Sequence, residues 1–309
     1  MMFTDADLAL DINEFSPLAS EVDAITFANM VKATYNQVGT AGTTPASAQV
    51  YLDAGAKMSD FATPLDGRAC IINPKAQART VDGLKALFHA GGKLNNQYVK
   101  GQMGEALGLD FYMSQNVPRI TSGTRVGTVL VDGAVSTEGS TTIHMDGFTN
   151  ATDTIKQGEV FTVAGVYSVN PETKESTGEL QDFVVTADFT AASNEGDVSV
   201  SPAMYTSDSG GLQTIDAFPA DGAAITFKNT TASTQYPVNL AFAKDAYTFA
   251  SANLEMPSDV TFKGQMASDG VNIRILRQYD INNAQYPCRL DIFFGSLAQY
   301  ANQACRIIG

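Results

Sequence analysis

The 309-residue sequence has no tryptophan, two histidines and three cysteines, and charged residues make up only 17% of it; an average soluble domain is about a quarter charged. Each shortage excludes something. Cys70, Cys288 and Cys305 lie far apart and form no C-x-x-C pair, so neither a disulfide framework nor a cysteine zinc site is predicted. They read as small buried hydrophobes, Cys70 within RACIIN and Cys288 within PCRLDIFF, each on a strand. No run approaches the length of a membrane-spanning helix, and the acidic start lacks the basic and apolar regions of a signal peptide. The expected product is a soluble protein made in the cytoplasm, with no membrane partner. Basic residues are scarce, 19 against 33 acidic, for a net charge of −14. Such a chain repels phosphate backbones, so specific nucleic-acid binding is not expected.

Chemistry-bearing patterns are equally sparse. His89 ends a predicted helix, where it meets the helix dipole, and His144 sits between Ile143 and Met145 on a strand. Neither comes with a nucleophile and an orienting acid, and no G-x-S-x-G elbow occurs. The segment AGGKLNN (90–96) lacks the spacing and Ser/Thr of a phosphate loop. Asp5, Asp7 and Asp11 are spaced like part of a calcium loop without its glycine and closing Glu, and read as solvated acids. Glu172, Glu175 and Glu179 read as a charged hairpin tip. Asn150 and Asn229 begin glycosylation triplets that have no consequence without a secretory route. The sequence therefore predicts no catalytic residue, no cofactor site and no metal site: it does not read as an enzyme.

What is abundant is organised by position. At 44% apolar the chain can build sizeable cores. Residues 1–127 carry a net −2, residues 128–237 a net −12 and residues 238–309 none. The middle third is rich in Thr, Ser, Gly and Asp, with six short apolar runs: TVLVDG, TTIHMD, VFTVAGVYSV, DFVVTADF, DVSVSP and AAITFKN. Six strands separated by turn residues predict a small antiparallel barrel or sandwich. Phe161, Val163 and Val166 should face its interior, and 170–179 should be a polar hairpin loop. In the flanks, Ser16-Pro17 reads as a helix start and Gly39 as its end, giving a helix over 17–38 with apolar residues on two sides. Further helices are predicted over 45–61 and 74–89, and a shorter one after Gly92, with strands at 68–73, 238–242, 247–249, 271–279 and 288–294. The flanks form an α+β unit and the middle third is an insertion into it.

Several stretches also carry a resemblance. RILRQYDINNAQYPCRLDIFFGSLAQYANQACRIIG at the end, LALDINEFS near the start, and YNQVGTAGTTPASAQVYLDAGAKM, INPKAQARTVDGLKALFH, GLDFYMSQNVPRITSGT, GEVFTVAGVYSVNPETKESTGELQDFVVTAD and FAKDAYTFASANLEMP between them resemble, in order, one family. It is that of the major capsid proteins of lambdoid short-tailed bacteriophages, the gene-five coat type. The resemblance implies the Johnson fold of tailed-phage capsid proteins: a long spine helix, peripheral and axial domains, and an inserted six-stranded β-barrel. The implied organisation is a capsid core over 1–127, an inserted acidic barrel over 128–237, and the rest of the core over 238–309. It implies a structural subunit of an icosahedral shell in the virion, self-assembling into pentamers and hexamers around packaged DNA, with scaffolding protein and the portal protein as partners.

Members of that family carry an N-terminal arm and an extended loop ahead of the LALDINEF segment, and this sequence starts there. The resemblance thus predicts a truncated chain, a monomer or small oligomer, with apolar surface exposed near Phe27 and Val31. A phage tail or surface adhesion module with a β-barrel insert is the alternative; it accounts for the Thr/Ser-rich insert but not for the flanks.

Overall fold

The computed structural model describes residues 5–84, 104–206, 212–268 and 270–309. The chain divides into two compact units, one of Met1–Ala246 with Tyr300–Gly309, the other of Tyr247–Gln299. In the larger unit a mixed sheet runs in the order Gln37–Val38, Ala304–Ile308, Gln235–Ala243, Arg68–Ile72, Leu109–Met113, Glu105–Ala106, and Arg119–Thr121 pairs with the start of Gln235–Ala243. Two of its pairings are parallel, Gln37–Val38 with Ala304–Ile308 and Arg68–Ile72 with Leu109–Met113.

Helix α1, Asp5–Ala33, precedes this sheet, and α2, Ala48–Asp60, and α3, Pro74–Leu84, flank its strand Arg68–Ile72 in sequence. In α2, Tyr51, Ala54 and Met58 recur at helical spacing and are fully buried, in one cluster with Cys70, Ile72, Ala241, Cys305 and Ile307. Pro74 opens α3 at the position where a missing N–H costs nothing, and Asn73 Oδ1 accepts the Ala76 N–H at 2.6 Å. The sequence places α1 differently. It runs through Ser16-Pro17 and stops at Ala33, so Pro17 forgoes one backbone bond inside the helix. Residues 34–38 instead leave the helix to reach the strand Gln37–Val38. Gly39 is not a helix cap: at φ +90° it follows that strand, and a Cβ there would lie 2.6 Å from the Ile308 carbonyl oxygen.

The six predicted insert strands form one antiparallel sheet in the order Ile225–Phe227, Val160–Val169, Ser176–Val185, Gly196–Met204, Ser140–Asp146, Leu130–Val131. A bridge between Leu130 and Ala224 brings its two ends together, nearly closing a barrel. The barrel core includes Val131, Ile143, Met145, Phe161, Val163, Val166, Phe183, Val185, Val198 and Ile215. The strand after the hairpin starts at Ser176, inside the segment predicted to be loop, because an irregular register lets it continue the pairing with Val160–Val169. Alternation also fails at 182–185, where all four residues are buried. Phe183 and Val185 fill the barrel while Val184 and Val160 pack outside it, with Tyr35 and Phe61.

The smaller unit holds a three-stranded sheet, Phe262–Ser268, Val271–Arg277 and Cys288–Ile292, and the pair Tyr247–Ser251 with Phe294–Ala298. The single strand predicted over 288–294 is thus split in two. Among its described residues none is buried. Predicted helical residues 85–89 and the helix after Gly92 lie outside the described residues. No described helix is long and apolar enough to cross a membrane.

Candidate functional site

Beneath the barrel, where it packs on the mixed sheet of the larger unit, lies a seam of buried charge. Asp182, from the barrel strand Ser176–Val185, is 1% exposed. Its Oδ2 accepts the Gln37 backbone N–H at 3.0 Å, the Lys57 ammonium at 2.5 Å and the Lys228 ammonium at 2.8 Å. Lys57 comes from α2 and Gln37 from the core sheet, while Lys228 follows the last barrel strand, so one carboxylate joins three elements. Lys228 also donates to the Gln37 carbonyl at 2.6 Å. Arg306, fully buried in the core strand Ala304–Ile308, donates to Val31 O at 3.1 Å, to Gly158 O of the barrel at 2.7 Å and to Gln37 Oε1 at 3.0 Å.

A second buried carboxylate orders the chain where it enters and leaves the barrel. Glu159 accepts the backbone N–H groups of Gly123 at 2.7 Å and Lys156 at 2.8 Å, and pairs with Arg125. Arg125 donates onward to Asn229 O at 2.6 Å and stacks over the Phe227 ring, 3.6 Å from its centre. Both connections are therefore tied to one acid. Asp153, the third buried acid of the insert, is held below the usual carboxylate range: burial opposes its charge, and the Asn150 side chain and the N–H groups of Asn150 and Val126 outweigh that.

The electrostatics of the seam follow from sharing. Burial works against the charge on Lys57, but Asp182 more than offsets it, and its pKa is raised. At Lys228 burial prevails, helped by repulsion from Lys57, and the pKa falls despite Asp182. The Tyr35 phenol is pushed up by burial and by Asp182. Cys305 is pushed up to about 12, chiefly by burial. A thiol so protonated is unreactive. A cleft of about 550 Å³ opens on this seam, lined by Lys57, Lys228, Asp53, Asp60, Glu179 and Phe227 among others. No nucleophile with a base and an orienting acid stands along it. The arrangement ties the barrel to the mixed sheet and to α2.

The residues singled out by sequence lie elsewhere. His144 is on the outer barrel face, with Nδ1 2.7 Å from Asp197 Oδ1; that hydrogen bond raises its pKa most, against burial and with the nearby charges of Asp197, Asp132 and Glu195. His89, 90–96 and the side chains of Asp5, Asp7 and Asp11 lie outside the described residues. Among the described residues Glu172, Glu175 and Glu179 form no converging ligand set. Cys70 and Cys305 are buried and Cys288 is exposed, against the expectation for it, because its strand belongs to the smaller unit; none of the three is in a disulfide. Asn150 is bonded to Asp153, and Asn229 is buried at the seam. Phe27 and Val31 are 3% and 0% exposed, correcting the expected apolar surface there: that side of α1 is buried, and Arg306 of the seam reaches the Val31 carbonyl. Asp182, Glu159 and Arg306 gave no sequence signal beyond being charges inside apolar runs, DFVV, EVF and CRII.

A family model described as P22 coat protein, gene protein 5, matches residues 17–304, covering both flanks and the barrel. The chain belongs to the P22 coat protein family. It is a phage major capsid protein of P22 type, a structural and non-enzymatic component of the virion capsid, with a mixed α/β capsid-like fold and a nearly closed six-stranded antiparallel barrel. Among solved structures, the CUS-3 coat protein I-domain is similar at 25% identity over 34% of this chain and 98% of that one, with a TM-score of 0.25. A capsid structure of the Cyanophage P-SCSP1u is similar at 11% identity over 99% of this chain, with a TM-score of 0.38; this chain spans 66% of its length. No curated protein matches.

Proposed function

We propose that this P22-type coat chain builds an icosahedral shell through pentamers and hexamers, with scaffolding and portal proteins as partners, and that its barrel is a separately folding insertion over 128–237 between capsid-core segments 1–127 and 238–309. The family match that runs unbroken from residue 17 to 304 supports this reading most, since an adhesion module accounts only for the barrel. The smaller unit supplies surface between subunits. Its Ile281, Leu297, Phe293 and Met266 are 81%, 69%, 60% and 57% exposed, a density of bare apolar side chains that a free surface does not favour. The test is light scattering and negative-stain microscopy of the chain with and without scaffolding protein. Closed shells or capsomer-sized rings support the reading, and a chain that stays monomeric under every assembly condition overturns it.

A further inference from the structure

On the outer barrel face, far from any role in the seam, three neighbouring strands gather side chains around His144. His144 is central on Ser140–Asp146, and its cross-strand partner is Asp197. Asp132 follows Leu130–Val131, and its N–H donates to the His144 carbonyl at 3.0 Å, fixing it on the other side. Glu195 stands just before Gly196–Met204. His144 is thus set by strand pairing, while Asp132 and Glu195 stand just beyond strand ends, Glu195 closing the turn bridged by Ala192.

The two ring nitrogens of His144 are in unlike situations. Nδ1 lies 2.7 Å from Asp197 Oδ1, a short hydrogen bond. Nε2 lies 3.5 Å from Asp132 Oδ2, beyond the normal range for an N–H···O bond. With the proton on Nδ1 and shared with Asp197, Nε2 presents its lone pair toward Asp132. A carboxylate behind the far nitrogen is how ligating histidines are commonly oriented. One atom each from Asp132, His144 and Glu195 lie within 4.8 Å of one another. Two ligands each about 2.1 Å from a tetrahedral ion stand about 3.4 Å apart, close to the 3.5 Å between Nε2 and Oδ2. The side chains of His144 and Asp132 are 37% and 47% exposed, so water can complete the coordination.

We propose that Asp132, His144 and Glu195 bind a divalent transition-metal ion of the zinc class, with Asp197 as the residue that positions the imidazole. One nitrogen and two carboxylate ligands suit zinc, cobalt or manganese. They suit magnesium and calcium poorly, because those ions take oxygen ligands and larger donor sets.

Isothermal titration of the full 309-residue chain with zinc chloride at neutral pH tests this, with His144→Gln and Asp197→Asn alongside. The expected result is saturable binding with one high-affinity site, lost in His144→Gln and weakened about tenfold or more in Asp197→Asn. Magnesium chloride should give no comparable signal. Both variants lie on the exposed face, and their metal-free melting curves should track the parent, separating ligation from folding. Absence of saturable zinc binding in the parent overturns the proposal. So does zinc binding that His144→Gln leaves unchanged, which would move the ion elsewhere.

Discussion

A single carboxylate, Asp182, answers two lysines and a backbone N–H inside the protein. Removing one partner of a buried ion pair leaves the other uncompensated and typically costs about 3–5 kcal/mol. Asp182→Asn is therefore expected to lower stability by that order, which a urea unfolding curve would show as a lower midpoint. Lys57→Met should cost less, because Lys228 remains on the carboxylate and the new side chain still fills the site. Equal losses in the two variants would mean that Asp182 does not carry the joint. The acids also set a pH limb. Asp153, Asp188 and Asp291 have depressed pKa values, Asp188 first through the Gln157 N–H and Lys156, Asp291 first through Arg274. A depressed folded-state pKa contributes stability that is present above the unfolded value and lost as pH falls through the folded one. Thermal melts should thus be flat near neutrality and decline below about pH 4; a decline that begins near pH 6 would show that these acids do not set the limb, because His144, whose pKa is raised, loses its contribution as pH rises rather than as it falls.

Strands and helices show where sequence speaks and where it stops. Segment 128–237 has its own closed apolar interior, from Val129 to Ile225, so expressed alone it should give a dispersed amide spectrum and a cooperative melt. A collapsed spectrum would mean that the barrel depends on the core. All six barrel strands were legible because period-two alternation and turn residues mark a surface buried on one side. The exceptions have one cause. At 182–185 both faces are buried, one by the barrel and one by Tyr35 and Phe61, and alternation cannot register a second buried face. The helix start at Pro17 misled for a different reason: Ser-Pro marks a first turn well, but α1 already begins at Asp5 and runs through Pro17 despite the bond it loses there. The seam was illegible because its acids and bases, Asp182, Lys57, Lys228 and Arg306, lie 46 to 249 positions apart in sequence. No local pattern links them. Gly39 shows the same limit, since its requirement comes from Ile308 at the other end of the chain. Gly39→Ala would need a rare backbone conformation and would meet that carbonyl, so a drop in melting temperature of several degrees is expected by calorimetry.

At the scale of the whole molecule, burial is distributed unevenly. The larger unit has continuous cores, while the described residues of Tyr247–Gln299 include none that is buried. Two- and three-stranded sheets without an interior are marginal in water and gain stability when their faces are covered. Leu297→Asp and Ile281→Asp should therefore leave the melting of the larger unit unchanged but shift sedimentation toward the monomer. Unaltered association in both variants would exclude these side chains from the contact. The charge distribution acts in the same setting. Of the insert's described acids three are buried, Asp153, Glu159 and Asp182, each with hydrogen-bond partners, and the others lie at or near the surface. Copies of the barrel would repel one another at low salt, so association should strengthen as ionic strength rises and screens them.

The strand Ala304–Ile308 lies between Gln37–Val38 and Gln235–Ala243, with Arg306 paired in register to Gln37 and Leu240. That arrangement has a consequence for a polypeptide made from its N-terminus. The barrel has all of its strands once residue 227 has emerged from the ribosome, and it can fold while translation continues. The mixed sheet cannot: the strand that separates its first from its third is among the last translated, and its closure joins residues 269 positions apart. If the barrel folds on its own, as proposed above, folding is ordered in time, the barrel first and the mixed sheet afterwards. A ribosome stalled before residue 304 should hold a protease-resistant barrel attached to a protease-sensitive remainder.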